Sequence, residues 1–275
     1  MLSVRTTKLE DKTTQLEDQR QSSRRTRILL AVVWLISILA FFFVITFLIN
    51  TFFTLPGNLV SLDWAGYGVA SNFANPKPVV IGAYGSWTVP TVSISLQNTF
   101  SAAWIGIGGQ LDSDSTLIQV GTEQDCIHGA PTYSVWYELL PGNSVTITSV
   151  NAAPGDRIEA SITLLNSAAN EWSIGISDLT KAQRFEENVS YASSRLSAEW
   201  IVERPTISDM LANLADFGTI TFTNSHATFN DTVGTISSFP HILTVMSNRE
   251  NTRLVTVSSL GTGGSSFSIT FLNNA

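Results

Sequence analysis

The chain has 275 residues, of which 13% are charged, against roughly 25% in an average soluble domain; it carries 18 Gly and a formal net charge of −7. A single cysteine, Cys126, excludes an intramolecular disulfide. The acidic balance argues against nucleic-acid binding, which needs a basic face.

The first element is residues 28–49, ILLAVVWLISILAFFFVITFLI, which contain no charge and only Ser37 and Thr46 as polar groups. Twenty-two helical residues at about 1.5 Å each reach roughly 33 Å, the thickness of a bilayer core. A buried helix of a soluble domain is seldom apolar on every face over such a length. A retained transmembrane anchor over 28–53 is therefore expected, and a cleaved signal peptide is the competing reading. Arg20, Arg24, Arg25 and Arg27 crowd its N-terminal side, and no Lys or Arg follows until Lys77. This asymmetry predicts a basic cytoplasmic tail over 1–27 and residues 56–275 on the extracellular or lumenal side. Residues 56–275 hold eight Lys or Arg and 18 Asp or Glu, a balance of −10. Fully protonated, they would carry +11 from those eight and three His, so the low charge density is compatible with an acid environment.

Beyond the anchor, short alternating segments are broken by turn residues such as LPGN and APGD, with no linker dividing them. Strands are expected at AAWIGIGG, TLIQVGTE, YSVWYELL, SVTITSV, DRIEASITLL, EWSIGISDL, SAEWIVER, GTITFTN, RLVTVSSL and SFSITFL. A spacing of about ten residues points to one all-β domain, an antiparallel sandwich or jelly roll. One short helix is predicted in TISDMLANLADFG, capped by Ser208 and ended by Gly218. Asn188-Val-Ser190 and Asn230-Asp-Thr232 are possible glycan acceptors on an exported domain.

Two strands carry chemistry on a face that a simple sandwich would leave polar. In SAEWIVERP, alternation puts Ala198, Trp200 and Val202 on one face and Glu199, Ile201 and Glu203 on the other. In YSVWYELLP, Trp136 and Glu138 share a face, with Tyr133 and Tyr137 opposite. Trp beside carboxylates on an outer face suggests a groove for an extended ligand, or a Trp half-buried under a loop. Nucleotide-binding, zinc-protease and serine-hydrolase motifs are missing. His128, His226 and His241 lie far apart without metal-ligand spacing, so no metal or other cofactor is expected. Cys126 reads as a structural thiol despite His128 two residues on. Carboxylate chemistry at Glu138, Glu199 and Glu203 remains.

AWIGIGG, LIQVGTE, YSVWYELLP, APGDRIEASI, AEWIVERP and FGTITFTN occur in the order seen in the glutamic peptidases called eqolisins, which the chain resembles from DWAGYG at about Trp64 to about Asn224. The resemblance implies a concanavalin A-like sandwich of two sheets and hydrolysis of peptide bonds in polypeptide substrates. Carried over by motif, it implies a catalytic pair of Gln119, in LIQVG, and Glu203, the second carboxylate of AEWIVER. Glu203 would act as general base and acid for the attacking water, and Gln119 would stabilise the oxyanion. Trp64, Trp104, Trp136 and Glu138 would line or brace the groove, with Glu199 a supporting carboxylate. The fungal members usually carry disulfides and a propeptide, and several have Asp where this chain has Gly108. The alternative is a lectin-like sandwich that binds glycans or proteins through its aromatic groove without catalysis.

Overall fold

The computed structural model describes residues 58–274; the expected anchor and cytoplasmic tail lie outside the described residues. Among the described residues no helix is long and apolar enough to cross a membrane.

The first strands are β1 (Leu59–Ser61), β2 (Trp64–Ala70), β3 (Val80–Thr88), β4 (Ala102–Ile107), β5 (Ile118–Ile127) and β6 (Ala130–Leu139). There follow β7 (Val145–Thr146), β8 (Arg157–Asn166), β9 (Glu171–Asp178), β10 (Gln183–Ser190), β11 (Ser197–Glu203) and β12 (Thr206–Ile207). The last are β13 (Met210–Leu211), β14 (Thr219–Phe229), β15 (Thr232–Thr235), β16 (His241–Met246), β17 (Val255–Val257) and β18 (Phe267–Phe271). One sheet runs β1-β16-β2-β11-β4-β5-β6-β7, and the other β10-β9-β8-β3-β14-β18-β17, with β15 also on β14. Apart from the parallel β1–β16 contact, the named strands pair antiparallel.

The inner faces build the core because alternate residues of each strand are apolar. Ile105, Val120 and Trp200 from the first sheet join Ile158, Ile174 and Phe222 from the second in one buried cluster. Two indoles tie the layers together: Trp87 Nε1 donates to Thr122 Oγ1 at 3.0 Å, and Trp200 Nε1 to the Tyr84 carbonyl at 2.9 Å. Trp200 is fully buried, so Trp200→Ala is expected to cost about 3–5 kcal/mol in a denaturant melt. A loss below about 1 kcal/mol would show that it does not hold the sheets together.

All ten expected strands are present, some shorter or longer than expected. The alternation reading missed β1, β2, β3, β10, β15 and β16 and the β12–β13 hairpin. The helix expected in TISDMLANLADFG is a correction. That segment forms β12, a turn through Ser208 (φ 50) and Asp209 (φ 65), and β13, then a bridge between Leu214 and Phe100. Phe100 N–H donates to the Asn213 carbonyl and Ala215 N–H to the Phe100 carbonyl. These tertiary bonds bury Leu214, Ala215 and Phe217 in extended chain, outweighing a helical propensity worth a few tenths of a kcal/mol per residue. Ser208 therefore caps nothing, and Gly218 (φ 62) ends an extended segment.

Candidate active site

The outer face of the first sheet gathers the chemistry, and register alone explains how. Across β2, β11, β4, β5 and β6, one row reads Gly68, Glu199, Gly106, Gln119, Glu138. The next reads Gly66, Ile201, Trp104, Gly121, Trp136, and the third Trp64, Glu203, Ala102, Glu123, Ser134. Because successive side chains alternate, every second residue of five separate segments meets on one surface. Trp104, Trp136, Ile201, Leu117 and Ala102 form a second buried cluster there, with Trp64 and Leu140 packed against it.

Above this apolar floor lies a cleft of about 330 Å³, bordered by Gln119, Glu203, Glu138, Glu123, Trp64 and Trp136. The two proposed catalytic residues thus border one cleft, and so do three of the four expected groove residues. The fourth, Trp104, lies fully buried in the floor. Its ring meets that of Trp64 edge-on at 4.9 Å between centroids, and its Nε1–H donates to Glu203 Oε2 at 2.8 Å. On the far side of the cleft, Gln119 Nε2 donates to Glu138 Oε2 at 2.7 Å. This bond fixes the Gln119 amide from β6. Among the described residues, Gln119 Oε1 and Trp136 Nε1 have no hydrogen-bond partner. Gln119 and Glu203 are held by different neighbours on different strands and line the same cleft.

Burial raises the carboxyls of this surface. Glu203 is pushed up to about 7 by burial, partly offset by the Trp104 N–H and reinforced by Asp63. This places it well above the ordinary Glu range. Glu138 is raised by burial, held back by its bond from Gln119, and raised further by Glu123. The cleft is lined by three carboxyls and no Lys or Arg.

Sequence reasoning passed over Glu123, although it stands four residues after Gln119 on the same strand face, where the alternation could have found it. It accepts a hydrogen bond from Ser134 Oγ at 2.8 Å. The reasoning also did not single out Leu117 and Leu140, which alternate with Gln119 and Glu138 at the ends of expected strands, or Ile207, in a two-residue strand where no periodicity marks it. Cys126 is fully buried and accepts the Ser95 N–H at 3.2 Å, as a structural thiol does. His128 is exposed at a left-handed position, φ 52.

Fold and site define an all-β protein with a carboxylate- and amide-lined cleft on the outer face of one sheet. The model of the Peptidase A4 family matches residues 63–271. The chain belongs to that family, the glutamic peptidases or eqolisins. It is 30% identical over 196 residues to aspergillopepsin-2 of Aspergillus niger, covering 70% of this chain and 65% of that protein. It is also 30% identical over 105 residues to scytalidopepsin B of Scytalidium lignicola, covering 37% and 38% of the two chains. The chain thus spans less than two thirds of the length of these curated relatives. Among solved structures it resembles aspergilloglutamic peptidase from Aspergillus niger, with a TM-score of 0.55 and 27% identity over 63% of this chain and 99% of that one. Scytalido-glutamic peptidase with a transition state analog inhibitor shares the fold, with a TM-score of 0.64 at 20% identity over 77% and 99%.

Proposed function

We propose that the protein is a membrane-anchored acid endopeptidase of glutamic type, with a concanavalin A-like sandwich that cleaves polypeptides on the extracellular or lumenal side. The observation that carries the reading is the shared cleft of Gln119 and Glu203 above a Trp floor. Family membership supports the reaction class, and the apolar run 28–49 after a basic stretch supports the anchor and its orientation.

In this reading a peptide lies extended in the cleft with its scissile carbonyl between the two residues. Ionised Glu203 takes a proton from the attacking water as the oxygen adds to the carbonyl carbon. The resulting carboxylic acid then returns that proton to the leaving amine. Trp104 N–H holds the carboxyl in place throughout. The Gln119 amide has a second N–H beyond the one given to Glu138, and it donates to the developing oxyanion. Gln119 Oε1, without a partner among the described residues, accepts from the water. An amide does not titrate in acid, so Gln119 keeps its donors where a second carboxylate would change character.

The test is turnover of a denatured protein substrate by the full chain in detergent across pH 2–7. Gln119→Ala is expected to lower kcat about 100-fold, as losing an oxyanion donor does, with the melting temperature little changed. A variant that retained wild-type kcat would remove Gln119 from the chemistry. A folded wild-type chain without turnover at any pH would leave the cleft as a binding groove.

A further inference from the structure

Glu199 is the carboxyl that the proposed reaction does not use. It is fully buried, and among the described residues neither carboxyl oxygen has a partner in hydrogen-bond geometry, although the Ser197 hydroxyl and the Gln110 N–H act on it. In its row it stands between Gly68 and Gly106; over Gly68 lies Gln110, and over Gly106 lie Leu117, from the same 108–117 loop, and Trp104 of β4. A Cβ on Gly68 would meet Gln110 Oε1 at 2.4 Å, and one on Gly106 would meet Leu117 Cδ1 at 2.9 Å. Glycine at both positions lets Gln110 and Leu117 lie flat on the sheet and roof the carboxyl between them.

The polar atoms under this roof do not balance. Among the described residues, Gln110 Oε1 and both Glu199 oxygens are buried acceptors without a donor in hydrogen-bond geometry, and Ser197 Oγ, which can donate as well as accept, is equally without a partner. Buried polar atoms are rarely left unpaired. The Ser197 hydroxyl offers one donor against three acceptor oxygens, and a proton on Glu199 supplies a second. As a carboxylic acid it donates one O–H and still accepts through its other oxygen.

We propose that Glu199 is a positioning residue: as an uncharged acid under Gln110 it fastens the 108–117 loop to the sheet, and through Leu117 it sets the wall of the proposed catalytic cleft. The rest of the loop is held by its own bonds. Asp114 accepts from the Gly109 and Thr116 N–H groups, the Thr116 hydroxyl and Ser194 Oγ. The Gly108 N–H donates to the Ser197 carbonyl and the Leu117 N–H to Tyr191 Oη. Without the Glu199 tether, the face of the loop over Gly68 has no polar attachment.

Burial drives the Glu199 carboxyl well above the ordinary range, against the pull of the Ser197 hydroxyl and the Gln110 N–H, and Asp114 pushes the same way. No Lys, Arg or His faces it from β2, β4, β11 or the loop; Asp112 and Asp114 on the loop and Glu203 on its own strand are all acidic. On β16, His241 stands opposite Val69, on the inner face. An ionised Glu199 therefore draws in water, and water displaces Gln110. The tether is intact in acid and opens as pH rises through the raised value, which gives the cleft wall an upper pH limit.

The inference rests on the peptidase reading only for its kinetic consequence. The test compares amide hydrogen exchange of residues 108–117 with kcat and KM across pH, in the full chain and in Glu199→Gln, whose amide supplies the missing donor at every pH. In wild type, loop protection is expected to fall and KM to rise as pH increases. In Glu199→Gln both changes are expected to move up by about one pH unit or more, with turnover in acid retained. A Glu199→Gln profile superposable on wild type in both exchange and KM would overturn the proposal. Should that variant fail to fold, loop protection in wild type that stays constant between pH 4 and 8 would overturn it equally. Glu203→Gln separates the two readings: it is expected to lose turnover while keeping the pH-dependent loop exchange, so either result can fail without the other.

Discussion

Replacing Glu203 by Gln is expected to lower kcat by about 100- to 10,000-fold with KM little changed, the loss that follows removal of a general acid and base. The substitution keeps the shape of the side chain, and its amide oxygen can still accept the Trp104 N–H, so the floor of the cleft stays packed. What disappears is the ability to hold and return a proton between water and leaving amine. Buried, pushed up to about 7 and held by the Trp104 N–H, Glu203 is suited, in the proposed reaction, to alternate between the two forms within one turnover. The control is the melting temperature: the neutral amide ends the cost of burying a carboxylate there, so Glu203→Gln should melt no lower than wild type near neutral pH. A folded variant with full turnover would remove Glu203 from the chemistry and leave the groove as a binding surface.

The second large effect is an acid optimum of stability. Glu203 and Asp125 are each pushed up to about 7, from 4.5 and 3.8, Asp125 by burial and by Glu123 with the Ser101 N–H opposing. Glu138 and Glu199 are also raised, chiefly by burial. A group whose folded value lies above its unfolded value binds more protons in the folded state. Its contribution to stability is complete below the unfolded value, near 4, and is lost as pH rises through the folded value. Four such groups act together, so the melting temperature is expected to fall by roughly 10 °C or more between pH 4 and pH 8. Asp156 runs the other way: against the cost of its burial, Lys181 and the Ala153 N–H hold it low, so its contribution is lost only in stronger acid. In the proposed reaction, turnover per folded molecule should rise with Glu203 ionisation while the folded population declines. The observed rate should therefore peak on the acid side of 7. Calorimetry and kcat/KM over the same pH series check both halves, and a melting temperature flat from pH 4 to pH 8 would show that these carboxyls are not desolvated.

Most of the strand pattern was legible in the sequence because alternation survives wherever one strand face is buried. SAEWIVER and YSVWYELL displayed the two faces that the structure shows, including the side carrying Glu199, Ile201 and Glu203. β10, with its run Arg184, Glu186 and Glu187, and β3, interrupted by Gly82 and Gly85, lack that contrast. In TISDMLANLADFG a helical spacing of apolar residues was present but idle, since the Phe100 backbone supplied the hydrogen bonds a helix would have made internally.

The sequence by itself determined an all-β chain and the chemical character of the outer face, which are properties of residue type and period and survive without knowing which strand neighbours which. The proposal of Gln119 and Glu203 came from the resemblance of the ordered motifs to the glutamic peptidases. Tertiary structure alone decided that β11 lies between β2 and β4, so that Trp104 reaches Glu203 from a segment 99 residues away. It also set Glu138 opposite Gln119 and raised Glu203 to about 7. Register and burial depend on how distant segments pair, and the desolvation that tunes a carboxyl exists only once they have done so.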